Sequence, residues 1–158
     1  MSIKFYDVKK DYTDFLRSVD IKIPNISYIG NDKFLCGVVL KVNQFNYYAP
    51  ISSLTKKLFT SQQIIHTDGR ILGTIKFSFM FPCPDNVLIE KDFTIEPDEK
   101  YRDLLINELN YCDNNYHDIK KRAEYIYKRY LSGHDPLLIQ NCCNFPVLEI
   151  KMQEYIKW

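Results

Sequence analysis

The chain has 158 residues, is 46% hydrophobic and 15% aromatic, and carries a formal charge of only +1. That composition excludes a disordered tail, the length fits a single domain over 1–158, and no apolar run reaches the ~18 residues of a membrane-spanning helix. The first residues, MSIKFYDVKKDY, lack the apolar centre of a secretory signal, so a cytoplasmic protein without a membrane partner is expected.

Residues 3–8 read as a short first strand, and Phe15, Leu16 and Val19 sit at helical spacing in a short helix over 12–19. Pro24 and the polar residues after it make 24–32 a loop. FLCGVVLKV (34–42) is a central strand, Asn43-Gln44 a turn, and FNYYAPI (45–51) its partner, with Pro50 marking an end or an edge. Residues 58–70 are mixed, with His66-Thr67-Asp68-Gly69-Arg70 reading as an exposed turn. Residues 71–81 alternate at Ile75, Phe77 and Phe79, which predicts a half-buried strand, and a weaker strand is expected within 87–95.

The second half is helical. Pro97 opens a helix with Tyr101, Leu105, Leu109 and Cys112 on one face, and Asp113-Asn114-Asn115 breaks it. Ile119, Ala123, Ile126 and Tyr130 form the buried stripe of a second helix, which Gly133–Pro136 ends. Asn144 caps a last helix buried through Leu148, Met152 and Tyr155. Strands followed by helices predict an α+β fold, a small curved antiparallel sheet with helices laid against it.

The usual signatures of chemistry are missing. Five cysteines, an odd number, show no zinc spacing and read as reduced, mostly buried thiols. His66, His117 and His134 stand apart in polar surroundings, the carboxylates are scattered, and neither a glycine-rich phosphate loop nor a nucleophile elbow is present. No metal and no cofactor is expected. Charge is uneven, however. Residues 1–80 hold eleven Lys and Arg against six Asp and Glu, and residues 81–158 hold ten against fourteen, so a basic face stands behind a near-neutral total.

The β hairpin gives that basic half a focus. Lys33 precedes its first strand where Ser52 and Ser53 leave its second, followed by Thr55, Lys56 and Lys57. Ammonium groups beside hydroxyls suit a phosphate, and RNA brings its own nucleophile in the 2′-OH. A protein could cleave RNA by placing that hydroxyl in line. Tyr28, Tyr47 and Tyr48 lie close by in sequence and have rings able to stack on bases, although alternating aromatics at 45–48 also fill a sheet face.

These same residues carry a resemblance. Lys4–Tyr6, Lys33-Phe34, Gly37–Leu40, Tyr48–Ser53 with its following lysines, Leu72–Ile75, Phe79–Pro82, the 101–109 helix and Cys143–Phe145 with Leu148-Glu149 together resemble the ToxN/AbiQ family. Its members are endoribonuclease toxins of type III toxin–antitoxin systems. The resemblance implies a Kid/MazF-like core, a twisted antiparallel sheet or open barrel elaborated with helices. It implies metal-independent cleavage leaving a 2′,3′-cyclic phosphate and a 5′-hydroxyl. It also implies inhibition by a small RNA pseudoknot that the toxin cuts from a repeat transcript, a closed cyclic protein–RNA assembly, and defence against phage by abortive infection.

By position, the family's catalytic lysine falls on Lys33 and its Thr-Ser pair on Ser52 and Ser53, with Ser replacing Thr at the first. The loop is one residue longer here, so Lys56 and Lys57 both match the next lysine, with Lys56 preferred. Tyr28 and Tyr48 are expected to hold a base. The charged helix over 116–130, with Lys120, Lys121 and Arg122, is expected to contribute to the RNA surface. Two other readings compete: a non-catalytic RNA-binding module, and an endoribonuclease toxin neutralised by a protein antitoxin.

Overall fold

Runs of β-branched and aromatic residues on either side of Asn43-Gln44 make the centre of the sheet. The computed structural model describes residues 2–25 and 34–157. In chain order the elements are β1 (Lys4–Val8), α1 (Lys10–Arg17), β2 (Leu35–Val42), β3 (Phe45–Ser52), β4 (Ser61–Ile65), β5 (Ile71–Lys76), β6 (Phe81–Pro82), β7 (Leu88–Glu90), α2 (Glu99–Asn114), α3 (Tyr116–Ser132), α4 (Pro136–Asn141) and α5 (Phe145–Ile156). The strands form one antiparallel sheet in the order β4-β5-β3-β2-β1-β7, and β6 pairs with β3. This is the expected α+β fold, a twisted antiparallel sheet with added helices.

The β2–β3 hairpin turns at Asn43, the one described non-glycine residue with positive φ (54°). Asparagine tolerates that conformation, which explains its place in the turn. Pairing runs from Val42↔Phe45 to Leu35↔Pro50, with an irregularity between Gly37 and Leu40. Tyr48 packs across from Gly37, so closely that a Cβ there would fall 2.2 Å from the tyrosine ring. Only glycine fits at 37 without displacing the Tyr48 ring.

One edge of β3 is shared. Its first half pairs with β6 (Tyr47↔Pro82, Tyr48↔Phe81) and its last residues with β5 (Ile51↔Ile75, Ser52↔Thr74). The single strand expected over 71–81 is therefore broken. A 3₁₀ turn at Phe77–Phe79 lets the chain pass from one half of β3 to the other. Phe77, Ser78, Met80 and Phe81 are all buried, which no period-two strand with one wet face could achieve. The Ser78 carbonyl, freed from the ladder, accepts the Cys143 N–H at 2.8 Å.

Residues 58–70, read from sequence as mixed, contain edge strand β4. Its glutamines hid it: Gln62 donates to the Tyr111 hydroxyl at 3.2 Å and Gln63 to the Thr55 carbonyl at 2.9 Å. The short α4 was equally hidden, being six residues started by Pro136 and capped by Asp135, which accepts from Leu138 N–H.

The other helix ends follow side-chain chemistry. Asp98 caps α2, accepting from Lys100 and Tyr101 N–H, so the helix begins two residues after Pro97. Gly133 closes α3 in the left-handed conformation (φ 73°). Asn144 caps α5, as its sequence position predicts. All five cysteines are buried and free. In the core, Tyr47 and Tyr127 donate to one oxygen of Glu149 at 2.6 and 2.7 Å, so these three polar side chains are satisfied together. No helix among the described residues is long and apolar enough to cross a membrane.

Candidate active site

The end of β3 meets the start of β2 at one rim of the sheet. Ile51 N–H donates to the Phe34 carbonyl at 3.3 Å, so the chain at 34 lies beside the chain leaving toward the hydroxyl pair. Lys33 and Tyr28 themselves lie outside the described residues. Ser52 is half-buried and Ser53 exposed. The Ser52 Oγ accepts the Leu54 N–H at 3.1 Å, which fixes the first turn of the loop. Among the described residues the Ser53 hydroxyl has no hydrogen-bond partner. It stands available to a ligand.

The loop from Ser53 to Lys57 is polar and exposed, yet held at both ends. Gln63 grips it at Thr55, and Ser61 closes its far end through hydrogen bonds with both the N–H and the carbonyl of Leu58 at 3.2 Å. Lys56 and Lys57 are exposed and make no ion pair with a described residue. Two cations and a free hydroxyl on one tethered loop are competent to bind a phosphodiester.

Behind this loop stands a group that the sequence reading missed. Glu108 of α2 is only 3% exposed. A Cβ on Gly73 would fall 2.5 Å from the Ser52 carbonyl oxygen and 3.0 Å from Glu108 Oε2. The bare backbone of Gly73 is what allows the carboxyl and Ser52 to come so close. Burial pushes the Glu108 carboxyl up to about 7. The signal was present, because Glu108 falls between Leu105 and Cys112 on the buried stripe of α2.

The aromatic and basic candidates divide. Tyr48 is 3% exposed, with its ring against Gly37 and edge-on to Tyr6 at 5.4 Å. Its ring packs between β2 and β3 and helps seat one strand on the other. On α3, Lys121 is exposed and Lys120 lies over the Tyr116 ring at 5.2 Å. Arg122 reaches back to the loop, donating through Nη2 to the Phe59 carbonyl at 2.6 Å. It ties α3 to the second residue after Lys57. Among the described residues, no group of three or more His, Cys, Asp or Glu side chains is arranged to hold a metal ion.

Comparison with known proteins places the chain in a family. The family model for Toxin ToxN, type III toxin–antitoxin system, matches residues 4–153. The chain is 28% identical over 162 residues to the endoribonuclease ToxN of Bacillus thuringiensis subsp. kurstaki, covering 96% of this chain and 84% of that protein. It is 28% identical over 171 residues to the endoribonuclease AbiQ of Lactococcus lactis subsp. lactis, covering 99% and 91%. Among solved structures, it aligns over the whole of both chains, with a TM-score of 0.92 and 26% identity, with one from work on selective toxin inhibition by a non-coding RNA pseudoknot in bacterial type III systems. The structure of AbiQ, a lactococcal anti-phage endoribonuclease, has the same fold, with a TM-score of 0.90 at 24% identity and full coverage of both chains. The chain belongs to the ToxN/AbiQ family of endoribonuclease toxins from type III toxin–antitoxin systems.

Proposed function

We propose that this protein cleaves RNA by attack of the substrate's own 2′-OH, using Lys33, Ser52, Ser53 and Lys56. The O2′–P bond forms as the P–O5′ bond breaks, giving a 2′,3′-cyclic phosphate and a 5′-hydroxyl. Ser53 donates to a non-bridging phosphate oxygen or orients the 2′-OH, and Ser52 supports it. Lys33 and Lys56 carry the negative charge that develops on phosphorus, and one of them gives the 5′-oxygen its proton. The proton lost by the 2′-OH leaves to solvent water as the O2′–P bond forms. Chemistry of this kind needs positioning and cations and runs without a metal.

The observation that supports this reading is the rim of the hairpin. The Phe34–Ile51 hydrogen bond brings the residue after Lys33 beside the residue before Ser52, in a chain whose relatives are endoribonucleases. Tyr28 holds a base near the cut, and Lys57, Lys120, Lys121 and Arg122 contribute to the surface that holds the RNA. The physiological partners are a repeat-derived pseudoknot RNA, which the protein trims and is inhibited by, and cellular or phage RNA. Protein and pseudoknot close into a cyclic assembly, and the whole chain acts as one domain in the cytoplasm.

The reading is tested by incubating purified protein with a defined RNA in EDTA and weighing the product ends. Products carrying 2′,3′-cyclic phosphate and 5′-hydroxyl ends are expected. Products with 5′-phosphate ends, or cleavage that EDTA abolishes, would contradict it.

A further inference from the structure

Between the end of β4 and the flank of α2 lies a cleft of about 220 Å³ that the proposed chemistry does not use. Ile65 and Thr67 line it from one side, and Asn107, Asn110, Tyr111 and Asn114 of α2 from the other. The three asparagines follow one another at steps of three and four, so they form one ridge of the helix. Helix propensity does not explain them. Asparagine is a poorer helix residue than the Lys, Glu or Gln that would serve on a wet ridge, because its amide competes for the backbone. Asn107 is half-buried, Asn110 and Asn114 are exposed, and none of these three side chains hydrogen-bonds to a described residue.

The lining is neutral. Among the described residues, no Asp, Glu, Lys or Arg lines the cleft. His66 turns its Nδ1 to the Asp68 N–H at 3.1 Å, and Asn115 donates its amide to the Tyr111 carbonyl at 2.8 Å. Tyr111 keeps a donor: its hydroxyl oxygen accepts from Gln62 at 3.2 Å, and no described group accepts its proton. Ile65 adds an exposed apolar wall. A phosphate would call for cations and a metal for carboxylates, and this lining offers neither. Free amides beside an apolar wall suit a flat, neutral ring edged with donors and acceptors, and that is the chemistry of a nucleobase. The volume is below the roughly 300 Å³ at which pockets for drug-sized ligands begin, a scale that fits one base.

We propose that this cleft receives one unpaired base of the bound RNA, its edge on the Asn107–Asn110–Asn114 ridge and its face against Ile65. The proposal rests on the endoribonuclease reading and adds to it a place where the strand is held by a base rather than by a phosphate. The cleft is close enough to the hydroxyl pair for one strand to serve both. Gln63 pairs with Thr74 and Thr74 with Ser52, so Ile65 lies two strands across and two residues along from Ser52, about 12 Å at ordinary strand spacings. The same strand holds the loop that carries Lys56 and Lys57, because Gln63 donates to the Thr55 carbonyl. Strand β4 thus fixes the distance between the phosphate-holding loop and the base-holding cleft.

The test is equilibrium binding of a fluorescent, fully 2′-O-methylated, unstructured RNA twelve nucleotides long, which the proposed mechanism cannot cut, measured over a range of salt concentrations. Asn107→Ala combined with Asn110→Ala is expected to weaken binding about tenfold, the order lost with two neutral hydrogen bonds. Alanine is the better helix residue, so the double variant should melt no lower than the parent. The amides carry no charge and release no counterions, so a plot of log affinity against log salt should run parallel to the parent's, displaced downward. Parent affinity in the double variant, or a loss that comes with a shallower salt dependence, would overturn the subsite, as would failure of the parent to bind. Cleavage of unmodified RNA by the same preparation judges the catalytic reading separately.

Discussion

Ser53→Ala will give a folded protein that binds RNA and no longer cuts it. Ser53 lies on an exposed loop beyond the end of β3, and its hydroxyl has no partner among the described residues. Removing it opens no cavity and orphans no buried group, so stability should change by no more than about 0.5 kcal/mol. The chemical cost is of another order. Loss of one preorganised donor to a developing oxyanion costs about 10²–10³ in rate, and more if the same hydroxyl also orients the nucleophile. Single-turnover cleavage should fall by at least that factor and growth arrest on expression should vanish, with an unchanged melting curve. Ser52→Ala should be milder, because the Ser52 Oγ is already engaged with the Leu54 N–H. An active and toxic Ser53→Ala protein would remove Ser53 from the centre of the mechanism.

Glu108→Gln will change how stability depends on pH. The Glu108 carboxyl is buried behind Ser52 and Gly73, and burial raises it from an ordinary value near 4.5 to about 7. Because the folded-state value is the higher one, its stabilising effect is complete below pH 4.5 and is lost as pH rises through 7. Over that window the native state binds a proton that the unfolded chain has released. The loss amounts to about 3 kcal/mol at full effect. Gln carries no such proton, so the stability of the variant relative to the parent should improve by about that amount between pH 4.5 and pH 8. The groups around the carboxyl do not offset this. Cys36 is pushed up to about 12 by its own burial, and the Cys112 thiol is raised further, so both stay neutral throughout. Denaturant midpoints of the two proteins at pH 5 and pH 8.5 check it. Parallel pH profiles would mean that Glu108 is solvated or paired in solution.

How much of this was legible in the sequence differs from element to element. The β2–β3 hairpin was plain because Asn43-Gln44 interrupts two runs of β-formers. Helices α2, α3 and α5 were plain because each buries one regular stripe. Strand β4 was not, since its glutamines serve as tethers to Tyr111 and Thr55, and an edge strand can be polar without losing its ladder. The break at Phe77–Phe79 was invisible because the alternation of Ile75, Phe77 and Phe79 mimics one strand. What breaks it is tertiary: β3 has different partners along its length.

The site was legible in a different way. Ser52, Ser53, Lys56 and Lys57 stand on the rim that hairpin pairing implies, because antiparallel register brings residues near 34 opposite residues near 51. For Tyr48 the sequence offered both a base contact and the filling of a sheet face, and the packing of its ring against Gly37 shows the sheet contact. Glu108 was missed because it is a charged residue in a stripe that ought to be apolar.

A single 2′-deoxy substitution at the cleaved nucleotide of an otherwise ordinary RNA tests the 2′-OH mechanism most directly. It removes the nucleophile while leaving every phosphate for the lysines and serines to hold. In EDTA that bond should survive intact under conditions that cut the all-ribose RNA to completion, with binding affinity within a few-fold of the all-ribose strand. Cleavage of the deoxy-substituted bond at the parent rate would show that the attacking oxygen comes from elsewhere and would contradict the mechanism built on Lys33, Ser52, Ser53 and Lys56.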